Sequence, residues 1–595
     1  MFRCVVFLAV LLAGTGAMPL KAQMTTSSPS GATTPARALD SLFADEWERG
    51  LREHPESASA FGDTRYGDRW TDLSPSAIAS REASDRSALE RLHAIDRAAL
   101  SPDQQLNYDT FEWLLQRAIE RQGFREYLRP IDHKNGPQLN DTIVEVMPFR
   151  VTADYRKYLA RMAALPDHID QTIALMKEGA KAANTPPRVL MERVPAQIAK
   201  QIVDDPARSP FYRPFLNFAD GISEADRGAL QADAQATVRD RLVPAFRKLQ
   251  TYLKDEYLPR TRASIAASDL PDGKAYYRFL VRFQTTTDLD VDQIHETGLK
   301  EVARLHSAME KLKTELGFKG SLPEFFSYLR NDPKFFYKTP DELLNAYRAT
   351  AKRIDPELVR VFRDIPRQPY GVREIPATAA PDTTTAYYQP GAADGTRAGY
   401  YYVNLYKPES RPSWEMMPLT LHEAVPGHHF QFARALELPD APMFRKTAYF
   451  VAYGEGWALY AEQLGYDMGL YENPYDRFGQ LTYEMWRAVR LVVDTGLHAK
   501  GWSRDQAIAY FKDNAAKTEL DIVNEIDRYI GDPGQALAYK VGQLKISELR
   551  TRAQHALGPR FDLRDFDDAV LAVGSVPLTA LEARIDRWIA ERKGL

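Results

Sequence analysis

The sequence has almost no cysteine. Of its 595 residues only Cys4 carries a thiol, and it stands ahead of an apolar run instead of at its end, a poor position for a lipid anchor. Past that first segment no disulfide and no thiolate ligand is available, so any metal would have to be held by imidazole and carboxylate groups. Charge of one sign is also lacking. Seventy-seven Lys and Arg face 81 Asp and Glu, a formal net of −4, with no basic block or stripe. That balance argues against nucleic acid as a partner. Beyond the first residues there is no apolar stretch long enough to cross a bilayer, so no integral membrane segment is expected in the mature chain. No repeat of fixed period is visible. The H-E-x-x-H pattern of zinc proteases is missing too.

What is present begins with Met1–Ala22. Arg3 precedes the apolar run Val5–Ala13, and small residues follow, the layout of a secretory signal peptide. Cleavage after Ala17 or after Ala22 fits equally. The mature protein is therefore expected to be secreted across the inner membrane, into the periplasm. Gln23–Arg37, rich in Thr, Ser and Pro, reads as a disordered tether. From residue 38 to 595 the chain reads as one mainly α domain, with a helical scaffold half (38–355) and a catalytic half (356–595). Apolar residues recur at helical spacing over Ala38–Glu53, Ser74–Leu92, Ser101–Arg121, Ala153–Ala182, Glu224–Leu258, Val291–Leu316 and Asp341–Ile354. The scattered histidines of this half, such as His168 and His306, suggest no site.

Near Ile365 the composition changes. Arg367–Pro376, Thr385–Pro390 and Ala398–Leu405 are short, rich in Tyr, Val and Thr, and bounded by Pro, Gly and Asp, which predicts a small antiparallel sheet. In the last of these, GYYYVNLY, Tyr401 is a candidate to line an extended peptide if the strand offers a free edge. The alternative is that its tyrosines cover the core.

The most informative stretch is His422–Glu423–Ala424–Val425–Pro426–Gly427–His428–His429, with three of the eleven histidines. On a regular helix, residues six apart lie about 9 Å apart along the axis and roughly 240° apart in rotation, so His422 and His428 could not share a metal. Pro426 has no N–H to give and clashes with the preceding turn. Gly427 is free to follow an unusual path. The spacing predicts a helix broken at Pro426–Gly427 that returns His428 to His422, with His429 as the alternative ligand. A third ligand is needed. Glu455, between Gly454 and Gly456 at the start of another helical stretch, is the candidate, with Glu462 two turns on as support or substitute. Pro474–Lys500 reads as a long helix bearing Arg487, Arg490, Asp494 and His498 on one face among Val and Leu. Asp494 and His498 suggest a carboxylate orienting a catalytic imidazole. A salt-bridge network is the structural alternative. Arg487 and Arg490 are candidates to bind a substrate carboxylate. Tyr539, after a Gly- and Pro-rich turn, could stabilise an oxyanion.

Taken in order, HEAVPGHHFQ, EGWALYAE, RAVRLVVDTGLH and PGQALAYKVG resemble the bacterial family known as domain of unknown function 885. That family is grouped with the zincin metallopeptidases and is distantly similar to the carboxypeptidase Taq and thimet oligopeptidase families. The resemblance implies a large helical zincin-like fold with the small sheet beside the active-site helix. It implies a zinc ion held by His422, His428 and Glu455, Glu423 as general base, and Tyr539 over the scissile carbonyl. The expected activity is zinc-dependent hydrolysis of short peptides. A catalytically silent peptide-binding protein of the same fold, or a zinc hydrolase of another amide, are the competing readings. His429 is a further substrate-binding candidate. Oligomeric state is not legible.

Overall fold

A computed structural model describes residues 34–376, 380, 384–391 and 398–594. The expected signal segment lies outside them, as does most of the expected tether. The tether's last residues are helical, however: the first helix runs Pro35–Glu53, with Thr34 capping and Pro35 in the first turn. The chain is mainly α, as the periodicity requires, and among the described residues no helix is long and apolar enough to cross a membrane.

Seven helices and three strands build and brace the site. In chain order they are helix α1 (Val291–Glu315), strands β1 (Tyr370–Glu374), β2 (Ala386–Gln389) and β3 (Gly399–Val403), and helices α2 (Met416–Glu423), α3 (His428–Leu436), α4 (Val451–Asp467), α5 (Pro474–Ala499), α6 (Glu519–Gly531) and α7 (Ala538–Leu557). The N-terminal helices bury their own apolar cluster around Tyr158, Met162, Phe246 and Leu249. A second cluster joins α2, α4 and α7 through Leu421, Trp457, Val541 and Ile546. A third lies beneath α5 and α6, with Phe478, Val489, Ile526 and Tyr529.

The sheet has the order β1–β3–β2 and is mixed, not antiparallel throughout: β2 runs antiparallel to β3, but β1 runs parallel to it. This corrects a second expectation. β3 is the central strand, so GYYYVNLY has no free edge for a peptide, and Tyr401 is fully buried. It packs with Met416, Leu419 and Ala424 against α2. The sheet thus braces the motif helix from the side.

Two close helix pairs hold α4 and α5 in place. Gly456 of α4 faces Gly542 of α7, and a Cβ on Gly456 would lie 2.5 Å from Gly542 Cα. Gly298 of α1 sits on Leu491 and Val492 of α5. Small residues at a crossing let backbones approach, which fixes the two helices with little freedom to slide. The buried Lys540 adds a polar clamp, reaching Glu484 of α5 at 2.7 Å and Glu301 of α1 at 2.9 Å.

Candidate metal centre

α2 ends at Glu423, and α3 starts at His428. Between them Ala424–Gly427 forms the expected break, with a cis bond before Pro426. Gly427 follows the unusual path the sequence expects, at φ −76° and ψ −127°, outside the helical and extended regions. It also supplies room, because a Cβ there would lie 1.9 Å from the carbonyl oxygen of His422 and 2.4 Å from that of Leu421. The chain crosses directly over the end of α2. Trp457 of α4 fixes the crossing by donating its Nε1–H to the Pro426 carbonyl at 2.8 Å.

This path sets the rings of His422 and His428 4.9 Å apart and nearly perpendicular, at 89°. Glu455 Oε2 lies 3.5 Å from His422 Nε2 and 3.4 Å from His428 Nε2. Those separations are long for hydrogen bonds. Two donors each about 2.05 Å from one tetrahedral ion stand roughly 3.3 Å apart, so the spacing is that of ligands around a metal. Glu455 Oε2 is moreover buried without a hydrogen-bond partner, the orphan a metal would satisfy. The three side chains form a group able to hold an ion among the described residues. They are buried, at 3 %, 8 % and 7 % exposure.

A second carboxylate stands behind the first. Glu462, fully buried, accepts from His422 Nδ1 at 2.8 Å, which leaves Nε2 free for a metal. Metal-bound imidazoles are commonly oriented in this way. The sequence left Glu462 open as support or substitute; its position here is support. His428 Nδ1 has no such partner. Burial alone would lower the His422 pKa, but the Glu455 and Glu462 carboxylates beside it outweigh this and hold it up to about 9. Burial likewise pushes Glu455 up, and the two imidazoles more than reverse this, holding it well below the carboxylate range. The pocket is therefore built for positive charge.

Glu423 directly follows His422 and is only partly buried, the most open of these groups. Tyr449, which the sequence reading missed, is buried beside Glu455, and burial together with the charges of Glu455 and Glu423 holds its hydroxyl well above the usual tyrosine range. Its ring fills the space left by Gly454, where a Cβ would come within 2.3 Å of it. That glycine, one helical turn or so after Tyr449, was the only available signal.

His429 faces away from this group. Tyr388 Oη lies 2.9 Å from its Nδ1 and the Gln368 carbonyl 3.0 Å from its Nε2. Burial lowers its pKa to about 4, so it is a neutral strut between α3 and the sheet, not a substrate contact. The expected Asp494–His498 pair does not form. Asp494 accepts from Tyr277 Oη at 2.6 Å and from Gly534 N at 3.1 and 3.0 Å. His498 instead accepts from Ala267 N and donates to the Tyr529 carbonyl, both at 3.0 Å, and burial lowers its pKa to about 4. Both nitrogens serve the scaffold, so His498 has no catalytic place. Asp494 still bears on the site indirectly. Gly534, at φ +83°, forms the turn that opens into α7, and Tyr539 lies in the first turn of that helix.

Arg487 and Arg490 point from α5 toward Tyr539, with the Arg490 guanidinium 4.3 Å from the ring centre and that of Arg487 5.9 Å. Neither meets Asp494 or Glu484, the partners a bracing role predicts among nearby acids. Arg490 instead reaches Glu525 at 3.0 Å and Tyr529 Oη at 2.8 Å, both on α6. Arg487 lies 3.7 Å from Glu462.

Fold and site define a helical protein built around a buried His–His–Glu centre. The chain belongs to the family described as bacterial protein of unknown function (DUF885), whose model matches residues 55–585. Two solved structures share the fold. One, from Colwellia psychrerythraea, is 28 % identical, with a TM-score of 0.89 over 94 % of this chain and 100 % of its own. The other, from Shewanella oneidensis, is 18 % identical, with a TM-score of 0.71 over 93 % of this chain and 99 % of its own. Both are described as putative lipoproteins, the second of unknown function. No curated protein matches the chain.

Proposed function

We propose that this protein is a zinc-dependent peptidase acting on short peptides outside the cytoplasm. The observation that carries the reading is the spacing of His422 Nε2, His428 Nε2 and Glu455 Oε2, 3.4 to 3.5 Å from carboxylate to each imidazole, beside the partly open Glu423. Zinc suits a donor set of two imidazoles and a carboxylate, and when bound there it would supply Lewis acidity toward a carbonyl and toward water. Glu423 accepts a proton from the attacking water and passes it to the leaving amine. One C–O bond forms and one C–N bond breaks, and the second proton of water remains with the products. The Tyr539 hydroxyl donates to the carbonyl oxygen as that atom gains charge. Glu462 holds His422 in one tautomer throughout. The depth of the ligands favours a short or extended peptide over a folded protein. The Met1–Ala22 segment, and the description of two structural relatives as lipoproteins, support export from the cytoplasm.

The test combines metal analysis with hydrolysis of a mixed peptide library, with and without chelator. Glu423→Gln should retain zinc and lose turnover by roughly 10²-fold or more, since an amide cannot take the proton. A variant of near-native activity would move the base elsewhere. A wild-type protein that binds zinc but leaves every peptide intact would turn the reading toward a silent binder or another amide.

A further inference from the structure

Three guanidinium groups converge beside the metal centre, and their hydrogen-bonding capacity is not used up. Arg487 and Arg490 are buried, at 5 % and 3 % exposure, and Arg528 of α6 joins them from the facing helix. Arg490 spends Nε on Tyr529 and Nη2 on Glu525, yet its Nη1 is buried without a partner. Arg487 donates Nη1 to the Tyr483 carbonyl at 3.2 Å, and its Nε has no partner. Arg528 lies 3.4 Å from Glu525, and its Nε and Nη2 make no hydrogen bond. The anions in reach are Glu525, shared by Arg490 and Arg528, and Glu462, which also serves His422. Three cations thus face two carboxylates, one of them already committed.

Buried N–H groups left unpaired are costly, more so on charged groups, and proteins rarely keep several together without use. The walls of the cluster are aromatic. Trp486 stands 5.1 Å from the Arg487 guanidinium and 4.8 Å from that of Arg490, and Tyr539 lies beside both. Planar cations with unpaired N–H groups beside aromatic faces suit a planar anion, and a carboxylate can take two parallel hydrogen bonds from a guanidinium edge such as the Nε and Nη2 of Arg528.

The cluster is also joined to the metal ligands. Glu462 links them, lying 3.7 Å from Arg487 and accepting from His422 Nδ1 at 2.8 Å. We infer that Arg487, Arg490 and Arg528 form a pocket for the C-terminal carboxylate of a peptide lying across the metal centre, so that the enzyme releases residues from the C-terminus. This rests on the peptidase reading for its substrate, though not for its anion. A buried pocket admits the end of a chain more readily than an acidic side chain from its middle, and the experiment separates those two sources.

The first arm needs no turnover. Calorimetry on the zinc-loaded full chain compares 3-phenylpropionate with its amide, neither of which has a peptide bond between residues. The acid should bind at least tenfold more tightly, and Arg528→Gln should remove most of that advantage. Arg528 has a partly exposed side chain, so glutamine is tolerable there, and a melting curve checks the fold. Arg490→Lys, which keeps charge and loses the unpaired Nη1–H, should weaken the acid in the same sense. Equal binding of acid and amide overturns the pocket. So does an acid preference that chelation abolishes and Arg528→Gln leaves intact, because the carboxylate is then on the metal. The second arm compares one peptide as free acid and C-terminal amide, and each with Glu or Gln two residues earlier. Amidation should lower kcat/KM at least tenfold, and the Glu-to-Gln exchange should matter little. The reverse pattern assigns the pocket to an acidic side chain and overturns the proposal. If no peptide is cleaved, the peptidase reading fails while calorimetry still decides the anion site.

Discussion

Replacing Gly427 by alanine adds one methyl group at the point where the chain crosses the end of α2. That methyl would stand 1.9 Å from the His422 carbonyl oxygen and 2.4 Å from that of Leu421. An ordinary carbon–oxygen contact is about 3.3 Å, so the backbones must separate by roughly 1.4 Å. Neither neighbour is a flexible side-chain tip. Trp457 holds the crossing from one side, and buried Leu421 and His422 hold the other. Metal–ligand distances tolerate only about ±0.2 Å, and the displaced backbone is that of a ligand. Gly427→Ala should therefore weaken zinc binding by at least roughly 100-fold, about 2.7 kcal/mol, and destabilise the fold by about 1–3 kcal/mol for overpacking. Chelator competition reads the first quantity and denaturant unfolding the second. Gly50→Ala is the control, since nothing lies within 4 Å of its added methyl, and there alanine should be neutral or stabilising. If Gly427→Ala bound zinc within about threefold of wild type, the idea that glycine is needed for room above His422 would be wrong.

His428→Ala should abolish zinc binding, whereas His429→Ala should leave it largely intact and loosen the sheet against α3, as metal analysis and limited proteolysis would show. Glu462→Gln should cost about 10–100-fold in zinc affinity without removing a ligand, because the amide holds His422 Nδ1–H less strongly; unchanged affinity would make Glu462 a packing residue only. Asp494, pushed up to about 7 chiefly by burial, keeps a proton in the folded state that the unfolded chain releases near pH 4. Its contribution to stability is thus full below about pH 4 and is lost as pH rises through about 7. Asp494→Asn should therefore gain on wild type between pH 5 and 8, by on the order of 2–4 kcal/mol at most, and parallel unfolding curves over that range would refute this.

The parts of the site legible in the sequence were those marked by a local violation. Pro426 and Gly427 make no sense inside a helix, and two glycines around Glu455 make little sense except for close approach. Such residues announce a path or a contact wherever their partners lie. The orientation of α5 was legible too, since charged residues among valines and leucines imply a buried face. Which partners that face meets was not, because periodicity gives an angle and not a neighbour. Asp494 and His498, four residues apart, looked like a pair and are divided between the Gly534 turn and the Ala267 and Tyr529 backbones. Arg528 and Glu525 carry no such local mark: Thr518 caps α6 and Ile522, Ile526 and Tyr529 give it an apolar face, but nothing in that pattern points to the arginines of α5. Strand order was equally hidden. Nothing in GYYYVNLY says that the parallel strand β1 covers its second edge.

The centre is better understood as a product of several helix contacts than of one motif. α2 and α3 supply both imidazoles, but their relative position depends on α4, through Trp457 at the Pro426 carbonyl. α4 supplies Glu455 and Glu462, and its own position depends on the Gly456–Gly542 crossing with α7. α7 carries Tyr539 and the buried Lys540, whose contacts with Glu484 and Glu301 lock it to α5 and α1. α5 returns to the centre through Arg487 and Glu462. Each helix that carries a chemical group is thus positioned by another that carries one. A shift at any of these crossings moves a ligand, a base or a cation together with its neighbours. The glycines at the crossings are therefore as much a part of the candidate site as the groups proposed to touch metal or substrate, and a cavity or an added methyl there should be felt in metal affinity before it is felt in overall stability.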